Sequence, residues 1–301
     1  MRIILIGQAA FAEKVLDGLR SNGHDVVAVY CPPDGAGNID PVKARGLALD
    51  IPVQQHKSLK AESVRKEFEG FAADLGVLAY VTQIVPHGVF EAPRLGSICF
   101  HPSMLPRYRG GSAINWQIIK GEKETGVSVF WVDPGVDTGP ILLQRSAAIR
   151  PDDTAGSLYF DTLFPLGVQT VLDAVQLIAA GNAPREPQDE SKATHDGLCR
   201  DDSAAIDWSR PVDEVYNLIR GCDPQPGAYT QFRGEKLRLY DCRKVEASGA
   251  TPGVVADVSD ALVIGAEGGA IRAKRVRWGT AKTPASDFVK AQSVEPGTRL
   301  G

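Results

Sequence analysis

The first thirty residues constrain this chain more than any other stretch. Residues 1–7 (MRIILIG) form a nearly uninterrupted apolar run of strand length, the pattern of a strand buried on both faces. Phe11, Val15, Leu16 and Leu19 then recur at helical spacing, and Asn22-Gly23 ends the pattern. Residues 26–30 are a second apolar run. Strand, helix and strand in this order make a β-α-β unit, which commits the chain to a parallel sheet covered by helices.

The alternation continues downstream. A Gly-rich polar loop at 34–40 precedes a short helix from Pro41 and a strand near Pro52-Val53. Val64, Phe68 and Phe71 stripe a charged helix over 59–71, and 75–80 is a strand. A turn into a short helix follows at 85–90. Strands are expected at 98–101, 127–132 and 141–144, and Asp152-Asp153-Thr154 caps a helical region running to about residue 180. Residues 181–202 are polar, turn-rich and aperiodic, the composition of a linker. Beyond it lie a helix at 212–220, the turn DPQPG and short alternating segments at 228–232, 236–240, 253–256, 261–264 and 271–278. Such a series reads as a small barrel of the oligonucleotide-binding type. The expectation is an α/β domain over 1–182, a linker over 183–204 and an OB-like barrel domain over 205–301.

Composition removes several function classes. No apolar run approaches the roughly 18 residues of a membrane helix, and polar Gln8 breaks the N-terminal run too early for a signal peptide. Five cysteines, an odd number without C-x-x-C spacing, argue against a disulfide framework and for a reducing cytoplasm. GQAAF after the first strand is not G-x-G-x-x-G, so no NAD(P) site is expected. The five histidines are never at ligand spacing, so no metal site is expected. The first 204 residues carry 19 Lys+Arg against 25 Asp+Glu and the remainder 14 against 12, a contrast too small to mark the second part as nucleic-acid-binding.

One stretch concentrates the chemistry. In SICFHPSMLPRYRGG a short strand delivers His101 to its carboxyl end, where open α/β sheets place their ligands. In WVDPGVDTGP a second strand end carries Asp133 and Asp137 in a turn-rich loop. Each aspartate also reads as a plain turn former, and spacing does not say which one meets the histidine. Arg107 and Arg109 read equally as surface charges or as an attraction for an anionic substrate. Trp116 and Trp131 read as core, and Arg272, Lys274, Arg275 and Arg277 as a solvated strand face.

The text APRLGSICFHPSMLPRYRGGSAINW, together with VLAYVTQIVP, FWVDPGVDTGPILLQ and AAIDWSRPVDEVYNLIRGCDPQPGAYT, resembles the 10-formyltetrahydrofolate-dependent formyltransferases and hydrolases. Within them it is most similar to the N-terminal hydrolase domain of 10-formyltetrahydrofolate dehydrogenase. The likeness spans residues 1 to about 288. It implies a Rossmann-like formyl-transfer domain and a C-terminal barrel, with 10-formyltetrahydrofolate as substrate or formyl donor. It implies His101 and Asp137 as the catalytic pair, Ser103 as a polar helper, and Gln83, Ile84, Val85 and Asp137 along the folate.

The resemblance also has a departure. Transferases of this kind carry an oxyanion-stabilising Asn two residues before the histidine, where this chain has Cys99. Residues 99 and 101 share a strand face, so Cys99 points into the site, and a thiol is a weak donor. Hydrolase-type dehydrogenases lack that Asn too. The expected reaction is therefore hydrolysis to tetrahydrofolate and formate, with transfer to an amine as the alternative: methionyl-tRNA, or a small sugar or amino-acid amine. The acidic pI (≈ 5.8) and the absence of basic residues at 34–40 weigh against tRNA. A folate-binding protein without chemistry is a third class, disfavoured by the presence of both His101 and Asp137. Because the dehydrogenases continue into carrier and aldehyde dehydrogenase domains, such domains are expected as separate partners if at all.

Overall fold

A computed structural model describes residues 1–35, 37–247 and 249–301; Ala36, within the loop expected at 34–40, and Ser248 lie outside the described residues. The elements run β1 (Arg2–Gly7), α1 (Ala9–Ser21), β2 (Asp25–Cys31), α2 (Pro41–Ala48), β3 (Val53–Gln55), α3 (Glu62–Gly70), β4 (Leu75–Ala79), α4 (His87–Phe90) and β5 (Ser97–His101). They continue α5 (Ala113–Ile119), β6 (Glu124–Trp131), β7 (Ile141–Ala148), α6 (Ala155–Ser157), α7 (Phe164–Ala179) and α8 (Val212–Gly221). The chain closes with β8 (Tyr229–Phe232), β9 (Glu235–Val245), β10 (Val255–Asp257), β11 (Leu262–Ala266), β12 (Gly269–Trp278), β13 (Lys282–Pro284) and α9 (Ala285–Gln292).

Compactness divides the chain into two units that do not follow sequence order. One holds residues 1–111, 125–147 and 161–195; the other holds 112–124, 148–160 and 196–301. The segment expected as a linker is thus split: its first part packs with the first unit and the rest with the second.

In the first unit the strands lie in the order β3-β2-β1-β4-β5-β6-β7. The pairs β3-β2, β2-β1, β1-β4 and β4-β5 are parallel, and β5-β6 is antiparallel. Ile4 and Ile6 of β1, Ala28 and Tyr30 of β2 and Leu78 of β4 alternate onto one face and are buried against Val64 and Phe68 of α3. Phe11 on α1 stacks at 4.4 Å from Phe100 of β5 and meets Phe164 of α7 edge-on at 5.4 Å. At roughly 1.5–3 kcal/mol per large apolar side chain, this double burial is what holds a parallel sheet. The chain order reverses between β1 and β4, so their carboxyl ends open a crevice.

Two expectations need correction. The helical region after Thr154 is not one regular helix: a π-helical turn at Leu158–Leu163 separates α6 from α7. That stretch, Ala155–Ala179, is also long and apolar enough to cross a membrane by length and composition. The interruptions at Asp161 and Asp173 hid it from a run count. Its α7 part buries Val171, Ala174, Val175 and Ile178 along one stripe, the pattern of a core helix.

In the second unit six strands form an antiparallel sheet, ordered β10-β11-β12-β9-β8 with β13 on β12. Leu237 and Leu239 of β9, Leu262 and Ile264 of β11 and Ile271 of β12 make its core with Val215 and Ile219 of α8. Within this unit α5 fastens to α8 through Asn115 Nδ2, which donates to Gly221 O at 2.7 Å. The five expected strands are present; β9 runs five residues further than its alternation showed, and β13 and α9 were not anticipated.

Candidate active site

β5 ends on His101, whose side chain is 7 % exposed. Its Nε2 lies 2.7 Å from the carbonyl oxygen of Tyr108. A carbonyl only accepts, so Nε2 carries a proton and Nδ1 is the ring nitrogen left for chemistry. That Nδ1 faces Asp137 Oδ2 at 3.5 Å, just beyond a firm hydrogen bond. The same Oδ2 accepts the Gly110 amide at 2.8 Å. The structure therefore brings His101 and Asp137 together.

Asp133 has the other role that spacing left open. Its Oδ1 accepts the Gly135 amide at 3.1 Å and the Thr138 hydroxyl at 2.7 Å, so it builds the turn that presents Asp137. Asp137 itself sits at φ 56°, a left-handed conformation that costs an L-residue roughly 1–3 kcal/mol and needs support from its surroundings.

Ser103 lies in the same loop and makes no side-chain hydrogen bond to the ring. Its fully buried hydroxyl donates to Arg107 O at 2.7 Å and approaches Tyr108 O at 3.4 Å, so it shapes the carbonyl that orients His101. The loop is fastened from β6 and β7 as well. Ser128 Oγ donates to Ser103 O at 2.6 Å, and Gln144 Nε2 donates to Ser128 Oγ and to Leu105 O.

Cys99, two residues before His101, packs against Leu105, Phe130 and Ile141 and also against the cluster that includes Ile6 and Leu78, on which Val81, Val85 and Val132 pack as well. Burial, reinforced by the charge of Asp137, pushes its thiol well above the usual range, so it is neither a ready thiolate nor a strong donor. Two residues apart on β5, Cys99 and His101 point to the same face of the sheet.

Gln83 lines a narrow cleft, with about 20 Å³ of room for water-sized spheres, at the ends of β1, β2 and β4, with Gly7, Gln8, Tyr30, His56 and Tyr80. Ile84 is 76 % exposed, and Val85 packs into the cluster that includes Cys99. At the start of α1 the amide of Ala9 donates to both oxygens of Asp40, each at 3.0 Å. A carboxylate of the chain occupies the place where dinucleotide folds bind pyrophosphate. Among the described residues no group of three or more His, Cys, Asp or Glu side chains stands together as metal ligands would.

Several residues of this site were not anticipated. Arg109 is neither a surface charge nor free for an anion: it is 8 % exposed and binds both oxygens of Glu190 at 2.9 and 2.7 Å. Arg109 Nη2 and Nε also donate to Gln188 Oε1. Gln188 Nε2 in turn donates to Asp137 O at 2.9 Å and Gly139 O at 2.7 Å. The backbone of the same segment pairs with the His101 loop, Thr194 N donating to Pro106 O and Arg109 N to Thr194 O. The aperiodic polar composition of this segment carries no signal of these contacts.

A buried histidine at a strand end thus faces an aspartate from the loop after the next strand, an arrangement capable of acid–base chemistry. Residues 1–170 match the family described as formyl transferase, and residues 199–293 match the formyl transferase C-terminal domain. The chain belongs to the formyl transferase family. It is 39% identical to the mitochondrial 10-formyltetrahydrofolate dehydrogenase of Mus musculus over 97% of this chain and 33% of that protein, and so spans about a third of that relative. It is 36% identical to the methionyl-tRNA formyltransferase of Geobacter metallireducens over 100% of this chain and 99% of that protein. Among solved structures, HypX from Aquifex aeolicus in complex with tetrahydrofolic acid shares the fold, with a TM-score of 0.72 at 20% identity over 96% of this chain and 47% of that one.

Proposed function

We propose that this chain hydrolyses 10-formyltetrahydrofolate to tetrahydrofolate and formate, with His101 and Asp137 as the acid–base pair. The observation that carries the reading is Cys99, whose side chain supplies no strong oxyanion donor beside the pair. Transferases of the resembled family carry an Asn donor at this place, and losing such a donor typically costs two to three orders of magnitude in rate, so the chain departs here from the transferase pattern. With Nε2 committed to Tyr108 O, His101 Nδ1 takes the proton of the attacking water, and the Asp137 carboxylate stabilises the imidazolium formed. The same proton is then available to the departing N10. In this reading the planar ring of the folate lies along the loop from Gln83, at the narrow cleft, to the apolar side chain of Val85. The cytoplasm, where five free thiols persist, is the compartment of this reading. A carrier or aldehyde dehydrogenase partner belongs to it only through the dehydrogenase relatives, which extend beyond the matched region.

The second reading is formyl transfer, favoured by full-length similarity to a methionyl-tRNA formyltransferase. One assay separates the two. Purified protein is given 10-formyltetrahydrofolate alone, then with methionyl-tRNA, then with amino sugars, and tetrahydrofolate and formate are both measured. Formate release without an acceptor is the expected result; release of tetrahydrofolate only when an amine is present overturns the hydrolase reading.

A further inference from the structure

We propose that Gln188 is a positioning residue for the acid–base pair, its side-chain amide locking the Asp137 loop to Arg109 of the His101 loop. The inference rests on the reading of His101 and Asp137 as that pair.

The geometry uses the whole amide. Both Nε2 protons of Gln188 go to carbonyls of one loop, Asp137 O and Gly139 O, and Oε1 receives two donors from Arg109. Only an uncharged amide with nitrogen toward the loop and oxygen toward the guanidinium satisfies all four partners. Arg109 is buried and held by Glu190, so it is a fixed post rather than a mobile side chain. The residue after it, Gly110, donates its own amide to the Asp137 carboxylate. A closed circuit results: Glu190 to Arg109 to Gln188 to the Asp137 backbone, and from the Asp137 side chain back to Gly110.

Asp137 needs that circuit. Its left-handed backbone is unfavourable for a residue with a Cβ, so without outside bonds the loop relaxes away. Its carboxylate stands 3.5 Å from His101 Nδ1, a distance at which a shift of a few tenths of an ångström makes or breaks the contact. None of the four side-chain hydrogen bonds of Gln188 goes to the ring; it acts through Asp137.

Gln188→Leu keeps the bulk of the side chain and removes every one of these bonds. Two measurements test it. The first needs no activity: hydrogen exchange at the Gly110 amide, which Asp137 protects, is expected to quicken at least about tenfold, while the Arg109 amide, held by Thr194 O, stays within about twofold. The second is tetrahydrofolate formation, with kcat falling about 10- to 100-fold and KM for 10-formyltetrahydrofolate within about threefold. In an Asp137→Asn background the same substitution is expected to cost no further activity, because the residue through which it acts is already lost. Unchanged Gly110 exchange, or full additivity of the two losses, overturns the proposal. Near-normal turnover by Asp137→Asn alone sinks instead the acid–base reading beneath it.

Discussion

Replacing Asp137 by Asn tests the pair with the least disturbance of the fold. The amide oxygen of Asn still accepts the Gly110 N–H, and Asn tolerates left-handed backbone at least as well as Asp. Because one oxygen both accepts that amide and faces His101 Nδ1, the amide oxygen of Asn keeps both places; what is lost is the charge that stabilises the imidazolium. A unit-charge pair at 3.5 Å is worth about 5 kcal/mol at an effective dielectric of about 20, before desolvation of the partly buried carboxylate is subtracted. If roughly 3 to 5 kcal/mol of that survives in the transition state, turnover falls about 10²- to 10⁴-fold. The assay is single-turnover tetrahydrofolate formation under saturating 10-formyltetrahydrofolate, with folate affinity read separately by fluorescence quenching and Tm by calorimetry. The expected result is a large loss of rate with affinity and Tm nearly unchanged. A variant within about tenfold of the parent rate refutes the reasoning, because no indispensable carboxylate behaves that way.

Cys99→Asn restores a side-chain amide beside His101, so amine-dependent formyl transfer, assayed with methionyl-tRNA and amino sugars, is expected to rise by up to two to three orders of magnitude at about 1–3 kcal/mol of stability. Asp223 is 7 % exposed, and burial raises its carboxyl above the usual range. Its folded-state value thus lies above the unfolded one, so its contribution is fully present below about pH 4 and is lost as pH rises through the folded value. Asp223→Asn, which can still accept the Asp241 amide, is expected to raise Tm at pH 7 and to lose that advantage at acid pH. Asp40 accepts amides at the starts of both α1 and α2, so Asp40→Ala is expected to cost about 2 kcal/mol in denaturant unfolding. Asp40→Asn keeps an acceptor and loses only the charge facing two helix dipoles, about 1 kcal/mol; equal losses for Ala and Asn argue against this role.

Much of the fold was legible because its causes are local. The first strand and helix announce themselves through Ile3–Ile6 and the Phe11, Val15, Leu16, Leu19 stripe, and each of those residues is buried. The same holds for β12, where Ile271, Ala273 and Val276 point into the second core. The unit boundaries were less legible. Residues 112–124 and 148–160 read as continuations of the first domain, and the contacts that place α5 with α8 join residues about a hundred positions apart. A period cannot encode a partner at that separation.

The site divides along the same line. His101 was legible because a strand end is a place that apolar pattern alone can fix, and Cys99 because strand residues two apart share a face. The choice of Asp137 over Asp133 was legible only through resemblance, since both sit in one turn and each could have built it. Hydrogen bonds decide it: Asp133 spends its oxygen on Gly135 and Thr138, leaving Asp137 to face the ring. The segment around Gln188 shows why such features escape a sequence reading. A chain stretch that pairs by side-chain amides and backbone carbonyls has no need of apolar spacing, so its composition matches that of a linker. In this protein that polar stretch connects the loops of His101 and Asp137, and the aperiodicity that marked it as a linker follows from bonding to loops rather than to a core.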